Sequence, residues 1–295
     1  AGETPEEKAI KIANAIVKNL NSPDIIGVTE MQDNNGQSPG PEDADASKSF
    51  ERLIETIVAA GGPRYEYVNI NPLYNQDGGA PNANIRVGFL YNPKRVSLAP
   101  GAPHGTARDA VGYKNGRLTL NPGRIDPMNP VFENTRKPLA AQFMFNGKTV
   151  VVIANHFNSK SGDTPLFGKI QPPVNGSEPK RHQIAAVVNG FVEEILRDNP
   201  RENVVVLGDL NDFEFSATLD VLKGKSLVNM LEKVPREDRY TYLYQGNSQV
   251  LDHILVSKNL ERMTQVDVVH LNADFTEMHG RASDHDPVLV QINLK

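Results

Sequence analysis

The sequence predicts an α/β fold, a four-layer α/β sandwich in which two packed, mostly antiparallel β-sheets are flanked by helices. Three observations predict it. Apolar runs of strand length recur along the chain, and one pair is joined by a strong hairpin signal. Segments of helical period lie between the strands. No linker or internal repeat divides the chain. Its 295 residues allow a sizeable core, and 1–295 read as a single domain.

The elements follow in order. Residues 5–20 read as an amphipathic helix, with Ile10, Ala13, Ile16, Val17 and Leu20 on one face and Thr4 as its N-cap. Residues 24–29 form a short apolar strand ending at Glu30, and 32–45 a Gly/Pro/Asn/Asp loop. A second helix over 47–60 is closed by Gly61-Gly62-Pro63. Strands over 65–70 and 85–91 are joined by a polar loop, and a long Gly/Pro-rich stretch runs to Asn134. Residues 139–145 alternate like a half-buried strand, Asn146-Gly147 marks a hairpin, and 150–154 return. After a loop over 159–179 come a helix over 180–196, a buried strand over 204–207 and a helical turn over 216–222. Strands over 250–256, 265–271 and 287–293 complete the chain.

Composition excludes several classes. There is no Cys, so thiol chemistry, disulfides and Cys-zinc sites are absent. No apolar run approaches membrane-spanning length, so no membrane partner is expected. Zero Cys fits a secreted bacterial protein. The Ala1-Gly2 start lacks an initiator Met and reads as a processed product without its signal peptide, so an extracellular location is expected. A net charge of −5 argues against a wholly basic nucleic-acid-binding surface. Charge is uneven, however. Residues 92–137 hold eight basic residues (Lys94, Arg95, Arg108, Lys114, Arg117, Arg124, Arg136, Lys137) against Asp109, Asp126 and Glu133, a local +5. This segment is either an ordinary solvated insertion or a phosphate-binding rim.

Candidate functional residues fall where strands end. Val204-Val205-Val206-Leu207 runs into Gly208 and then Asp209-Leu210-Asn211. A carboxylate and an amide two residues apart on an extended segment point the same way and offer hard oxygen ligands for a divalent cation. Glu30 closes the strand over 24–29, and His156 follows Val151-Val152-Ile153-Ala154. Asp252 and His253 lie within the strand over 250–256, while Asp284 and His285 precede the last strand. Singly, each has an ordinary reading as a loop carboxylate, an Asx-turn, a helix cap or a turn before proline. Together they supply carboxylates for a metal and imidazoles to move a proton, as phosphoester hydrolysis requires. All-oxygen ligands favour Mg²⁺, with Mn²⁺ or Ca²⁺ as alternatives, over zinc.

Five motifs in order carry a resemblance. They are the strand ending Thr29-Glu30, Asn155-His156-Phe157-Asn158-Ser159-Lys160, Gly208-Asp209-Leu210-Asn211-Asp212, Leu251-Asp252-His253-Ile254-Leu255 and Ser283-Asp284-His285-Asp286-Pro287. The set resembles the endonuclease/exonuclease/phosphatase superfamily, of DNase I-like fold. Asn121-Pro122-Gly123-Arg124-Ile125-Asp126-Pro127 and the 247–253 segment look most like its bacterial secreted-nuclease branch.

The resemblance implies roles for these residues. Glu30, Asp284 and Asp209 hold the metal. Asp209 also positions or deprotonates the attacking water, and Asn211 holds that water or the phosphate. His285 is the acid/base or transition-state stabiliser, oriented by Asp252. His156 contacts the phosphoryl group. Arg136 is a phosphate clamp, and Asn158 and Lys160 bind substrate. His253 reads as structural and His182 as a surface residue of a helix.

The resemblance also implies a β-strand before the first helix, bearing an Asn at the metal and phosphate site. No such strand precedes Ala1, so a separate N-terminal fragment or a neighbouring chain is expected in that slot. The activity implied is a metal-dependent phosphodiesterase, foremost a secreted nuclease acting on DNA or RNA. A phosphomonoesterase or phospholipase C-like enzyme is the alternative, and an inactive binding module the second.

Overall fold

The computed structural model describes residues 6–294. The Thr4 cap therefore lies outside the described residues. Helix α1 (Glu6–Asn14) continues through a π-helical stretch, Ala15–Asn19, to β1 (Ile25–Met31) and α2 (Ser47–Ala59). Strands β2 (Glu66–Asn69) and β3 (Arg86–Tyr91) follow. The Gly/Pro-rich stretch contains four two-residue strands: β4 (Ser97–Leu98), β5 (Tyr113–Lys114), β6 (Arg117–Leu118) and β7 (Gly123–Arg124). Strands β8 (Leu139–Phe145) and β9 (Lys148–His156) form the expected hairpin, with Asn146 and Gly147 both at positive φ as a two-residue turn requires. Then come α3 (Glu178–Asp198), β10 (Asn203–Asp209), α4 (Ala217–Lys223) and β11 (Leu227–Asn229). The chain closes with β12 (Tyr242–Tyr244), β13 (Asn247–Gln249), β14 (Asp252–Ser257), β15 (Thr264–Val268) and β16 (Val288–Ile292).

The large sheet runs β11–β14–β10–β9–β8–β4, with β7 also on β8. Its β9–β10 pair is parallel and its other pairs antiparallel. A parallel pair needs a crossover, and α3 supplies it. Two smaller sheets, β1–β3–β2 and the β15–β16 pair, share one apolar cluster with the large sheet and form the second layer.

Three apolar clusters separate the layers. On one side of the large sheet, Val204 and Val206 meet Ile184, Val188 and Val192 of α3 and Leu219 and Leu222 of α4. On the other, Val205, Val152, Phe143 and Val256 meet Phe89 and Val87 of β3. Beyond the second sheet, Leu90 meets Phe50, Ile54 and Ile57 of α2 and Ala13 and Ile16 of α1. The order is helix, sheet, sheet, helix, the expected four-layer sandwich. Because both faces of β10 are covered, its residues are continuously apolar rather than alternating. Gly27 lets β1 lie close over β10, since a Cβ there would collide with Leu207.

Among the described residues, β1 pairs only with β3 and β16 only with β15, so each leaves an edge without a strand partner. Ile25, Val288, Val290 and Ile292 on these strands are only partly buried.

The basic segment is not a continuous rim. Arg124 and Lys137 are buried and share the Asp77 carboxylate, at 2.9 and 2.7 Å. Arg95 pairs with Asp24, and Arg117 donates to the Pro100 carbonyl. Arg124 and Lys137, placed in a low-dielectric interior, must be paired, and Asp77 lies 47 and 60 positions away from them in the chain.

Candidate active site

Strands β9, β10 and β14 lie side by side, and their register builds the site. Asp209 stands opposite His156 in the parallel pair and opposite Asp252 in the antiparallel pair. Three chemically active side chains thus end in one row. Beyond Asp209 the chain turns sharply. Asn211 takes φ +51°, its N–H donates to Asp209 Oδ1 at 2.9 Å, and its side-chain amide donates to the Phe157 carbonyl at 3.0 Å. Buried Leu210 anchors the turn in the core.

Gly208, at φ +135°, has no room for a side chain, because a Cβ would run into the Asn155 carbonyl. Gly208→Ala is therefore expected to destabilise the fold by at least about 2 kcal/mol and to disorder Asp209. A urea midpoint equal to wild type would refute this reading.

His285 reaches the row from the loop before β16. Asp286 accepts the backbone N–H groups of Leu271, Asn272 and Ala273, and Asn272 donates to the His285 carbonyl at 2.7 Å. With its backbone so held, His285 Nδ1 lies 2.6 Å from Asp252 Oδ2. The partner assigns the Nδ1 proton to this bond and leaves Nε2 for the site. Burial alone would depress the imidazole. The Asp252 carboxylate and its hydrogen bond, helped by Asp209 and Asp284, overcome that and raise His285 to about 10.

Asp209 is pushed well above the ordinary carboxylate range, first by burial and then by the Asp252 charge. Ligand atoms of Asp209, Asp252 and His285 all lie within 4.8 Å of one another. The carboxylate oxygens of this group suit a hard divalent cation, whereas the protonated His285 has no lone pair to offer one. Two crowded carboxylates, one of them deeply buried, carry negative charge that a cation would relieve.

Glu30 enters from the second sheet. A bulge between Val28 and Met31 puts it at φ +59°, a strained setting for a non-glycine residue. Its exposed carboxylate lies 3.9 Å from His156 Nε2, which is itself 3.6 Å from Asp209 Oδ2. His156 is held well below its ordinary pKa, first by burial and then by the Arg136 and His285 charges, so it is neutral here. Arg136 is buried and donates to the Phe157 carbonyl at 3.0 Å. The charges of Asp209 and Glu30 both support its guanidinium against the burial that opposes it. Among the described residues, Arg136 Nε and His156 Nδ1 are buried without a hydrogen-bond partner. Polar atoms left in this way beside a carboxylate cluster suit an anionic ligand.

The structure thus brings together Glu30, His156, Asp209, Asn211, Asp252, His285 and Arg136. Asp284 is exposed and stands outside the three-residue cluster, reaching it through its charge on His285. Asn158 and Lys160 are engaged elsewhere. The Asn158 amide donates to the Ser177 carbonyl at 3.2 Å, and Lys160 pairs with Asp212 at 3.1 Å. Fully buried Arg181 also pairs with Asp212, at 3.0 Å. His253 is structural, with its ring between Asn229 and the Asp212 carbonyl.

Asp212 also accepts from Thr218 at 2.6 Å and ties the catalytic turn to α3 and α4. Asp212→Ala would strand the buried Arg181 charge. It is expected to cost about 3–5 kcal/mol in a denaturant titration, and a loss under 1 kcal/mol would argue against the tie.

Sequence reading did not single out Asp212 or Tyr242. Tyr242 packs on His285, with ring centroids 4.7 Å apart. Its signal was present in Tyr242-Leu243-Tyr244-Gln245-Gly246-Asn247, an alternating aromatic run ending in a turn with Gln245 and Gly246 at positive φ.

The profile of the Endonuclease/Exonuclease/phosphatase family matches residues 119–279, more than half of the chain. The chain belongs to the Endonuclease/Exonuclease/phosphatase family. Members of this family are hydrolytic phosphoesterases, typically dependent on a divalent metal. Solved structures share the fold at low identity. A TDP2 of D. rerio humanized by 14 mutations is 15% identical, with a TM-score of 0.58 over 96% of this chain and 89% of that one. The mannosyl-6-phosphatase of Bacteroides thetaiotaomicron is also 15% identical, with a TM-score of 0.56 over 98% and 91%. A curated relative, a probable glycosyltransferase of Arabidopsis thaliana, is 24% identical over 191 residues, 59% of this chain. The chain spans 37% of the length of that relative. Among the described residues, no helix is long and apolar enough to cross a membrane.

Proposed function

We propose that this chain is a metal-dependent phosphodiesterase that hydrolyses nucleic-acid phosphodiester bonds, of the secreted bacterial nuclease branch of its family. One observation carries the reading: the Asp209–Asp252–His285 cluster, with Arg136 and His156 buried beside it and each keeping a nitrogen unpartnered. Carboxylates for a cation and nitrogen donors for a phosphoryl group meet at one place.

Asp209, with Glu30 reaching in from the second sheet, would hold the cation, Mg²⁺ foremost, and Asp284, outside the cluster, adds its negative charge beside His285. When bound, the cation neutralises phosphate charge and stabilises the leaving oxygen. Arg136 Nε and His156 donate to the non-bridging phosphoryl oxygens and orient them. Asn211 holds the attacking water, and Asp209, tied to the Asn211 backbone N–H, is placed to take that water's proton. His285, kept protonated by Asp252, donates from Nε2 to the charge that develops on the phosphoryl group.

The test is plasmid nicking with Mg²⁺, Mn²⁺, Ca²⁺ or EDTA, run beside bis(p-nitrophenyl) phosphate and p-nitrophenyl phosphate. Metal-dependent nicking with turnover of the diester supports the reading. Turnover of the monoester alone would replace it with a phosphomonoesterase.

A further inference from the structure

Two pairs of aromatic rings, one packed on His285 and one following Asn211 in the chain, are not used by the chemistry above. Phe213 and Phe215 lie on the loop leaving Asn211. Their rings are stacked, with centroids 5.3 Å apart and planes at 24°, and Phe215 is 76% exposed. Tyr242 and Tyr244 are alternate residues of β12 and so share one face. Their rings are 6.5 Å apart at 14°, and Tyr244 is 50% exposed. Each pair adjoins the centre through a different residue. Phe213 is two residues beyond Asn211, and Tyr242 packs on His285.

The charges make these rings informative. Arg124, Lys137, Lys160 and Arg181 all sit in ion pairs with Asp77 or Asp212, and the chain is −5 overall. These four are engaged with carboxylates, and Lys160 also lies 4.2 Å from the centroid of the Phe213 ring, so a bound strand would draw affinity from the rings as well as from backbone charge. Flat exposed rings supply affinity for unpaired bases, whatever their sequence, because every base has a π face. In a duplex the bases are already stacked on each other and cannot reach such rings.

We propose that Phe213–Phe215 and Tyr242–Tyr244 are stacking platforms for the bases on either side of the scissile phosphate, and that the substrate is a single-stranded polynucleotide. The proposal rests on the phosphodiesterase reading. Leu166, Phe167, Ile170 and Val174 are also exposed and make a lipid surface the competing occupant.

The test compares kcat/KM with Mg²⁺ on three substrates of one length: a mixed-sequence single strand, the same backbone with abasic sites throughout, and the duplex. Bis(p-nitrophenyl) phosphate serves as the reference without bases. Wild type is expected to prefer the mixed single strand over both others by about tenfold or more, as loss of one or two stacked bases implies. Phe215→Ala and Tyr244→Ala should each narrow the gap between mixed and abasic strands, and Phe215→Trp and Tyr244→Phe should keep it. Equal rates on mixed and abasic strands, with turnover of the diester intact, would overturn the proposal and leave the phosphodiesterase reading standing. A gap that both alanine variants leave whole would also overturn it. Equal rates together with binding to phosphatidylglycerol vesicles that Phe215→Ala abolishes would reassign the rings to a lipid surface. No turnover of any substrate would remove both readings.

Discussion

His285→Ala is expected to lower kcat on a metal-loaded phosphodiester by about 10²- to 10⁴-fold, the usual contribution of a positioned acid–base group. The loss should fall on kcat more than on KM, because the Nε2 donor acts on charge that develops during the reaction. The same variant has a stability signature. The folded-state pKa of His285 is raised to about 10 from an ordinary value of 6.5. Its contribution to stability is therefore fully present below about 6.5 and is lost as pH rises through about 10. Urea midpoints of wild type and variant without divalent cation should differ most near pH 6 and converge above pH 10. A constant difference across that range would contradict the Asp252–His285 pairing, and wild-type turnover would remove His285 from the mechanism.

Asp209→Asn is expected to abolish turnover to a similar degree while making the metal-free protein more stable at pH 8. Burial and the neighbouring Asp252 charge push the Asp209 carboxyl up. The folded state then binds a proton that the unfolded state has already released. Stability falls as pH rises from the ordinary carboxylate range through the raised one. A neutral amide removes that cost, so the variant should exceed wild type by on the order of 1 kcal/mol at pH 8 and match it below about pH 4. Mg²⁺ should raise the wild-type midpoint more than that of the variant, since binding to the native state alone stabilises it. A variant less stable than wild type at every pH would show that the Asn211 turn, rather than the charge, governs this position.

These two residues show how a site can be visible before its geometry is. Asp209, Asp252 and His285 each stand at the end of an apolar run or beside one; the register of β10 with β14 joins the two carboxylates, and the loop before β16 brings His285 to Asp252. Glu30 was legible as the end of a strand. Its left-handed backbone was not, because the bulge exists only against the partner strand β3. Lys160 reads as a substrate contact because charge in a loop is ordinarily solvated. Its pairing with Asp212 depends on a residue 52 positions away. Tyr242 reached the site through the β12–β13 hairpin, which sequence periodicity marks too briefly to separate from a loop.

The sequence by itself determined the strands and helices, the layered fold they form, and the carboxylate and imidazole residues at the strand ends. Those features follow from local periodicity, turn chemistry and the need to cover apolar faces. Only the tertiary structure decided which cations serve the site and which serve the core. Arg136 and Lys137 are neighbours in the chain. One faces the charges of Glu30 and Asp209, and the other is spent on Asp77. A buried cation goes to whichever carboxylate the fold brings within reach, and that is a property of the assembled layers rather than of any segment.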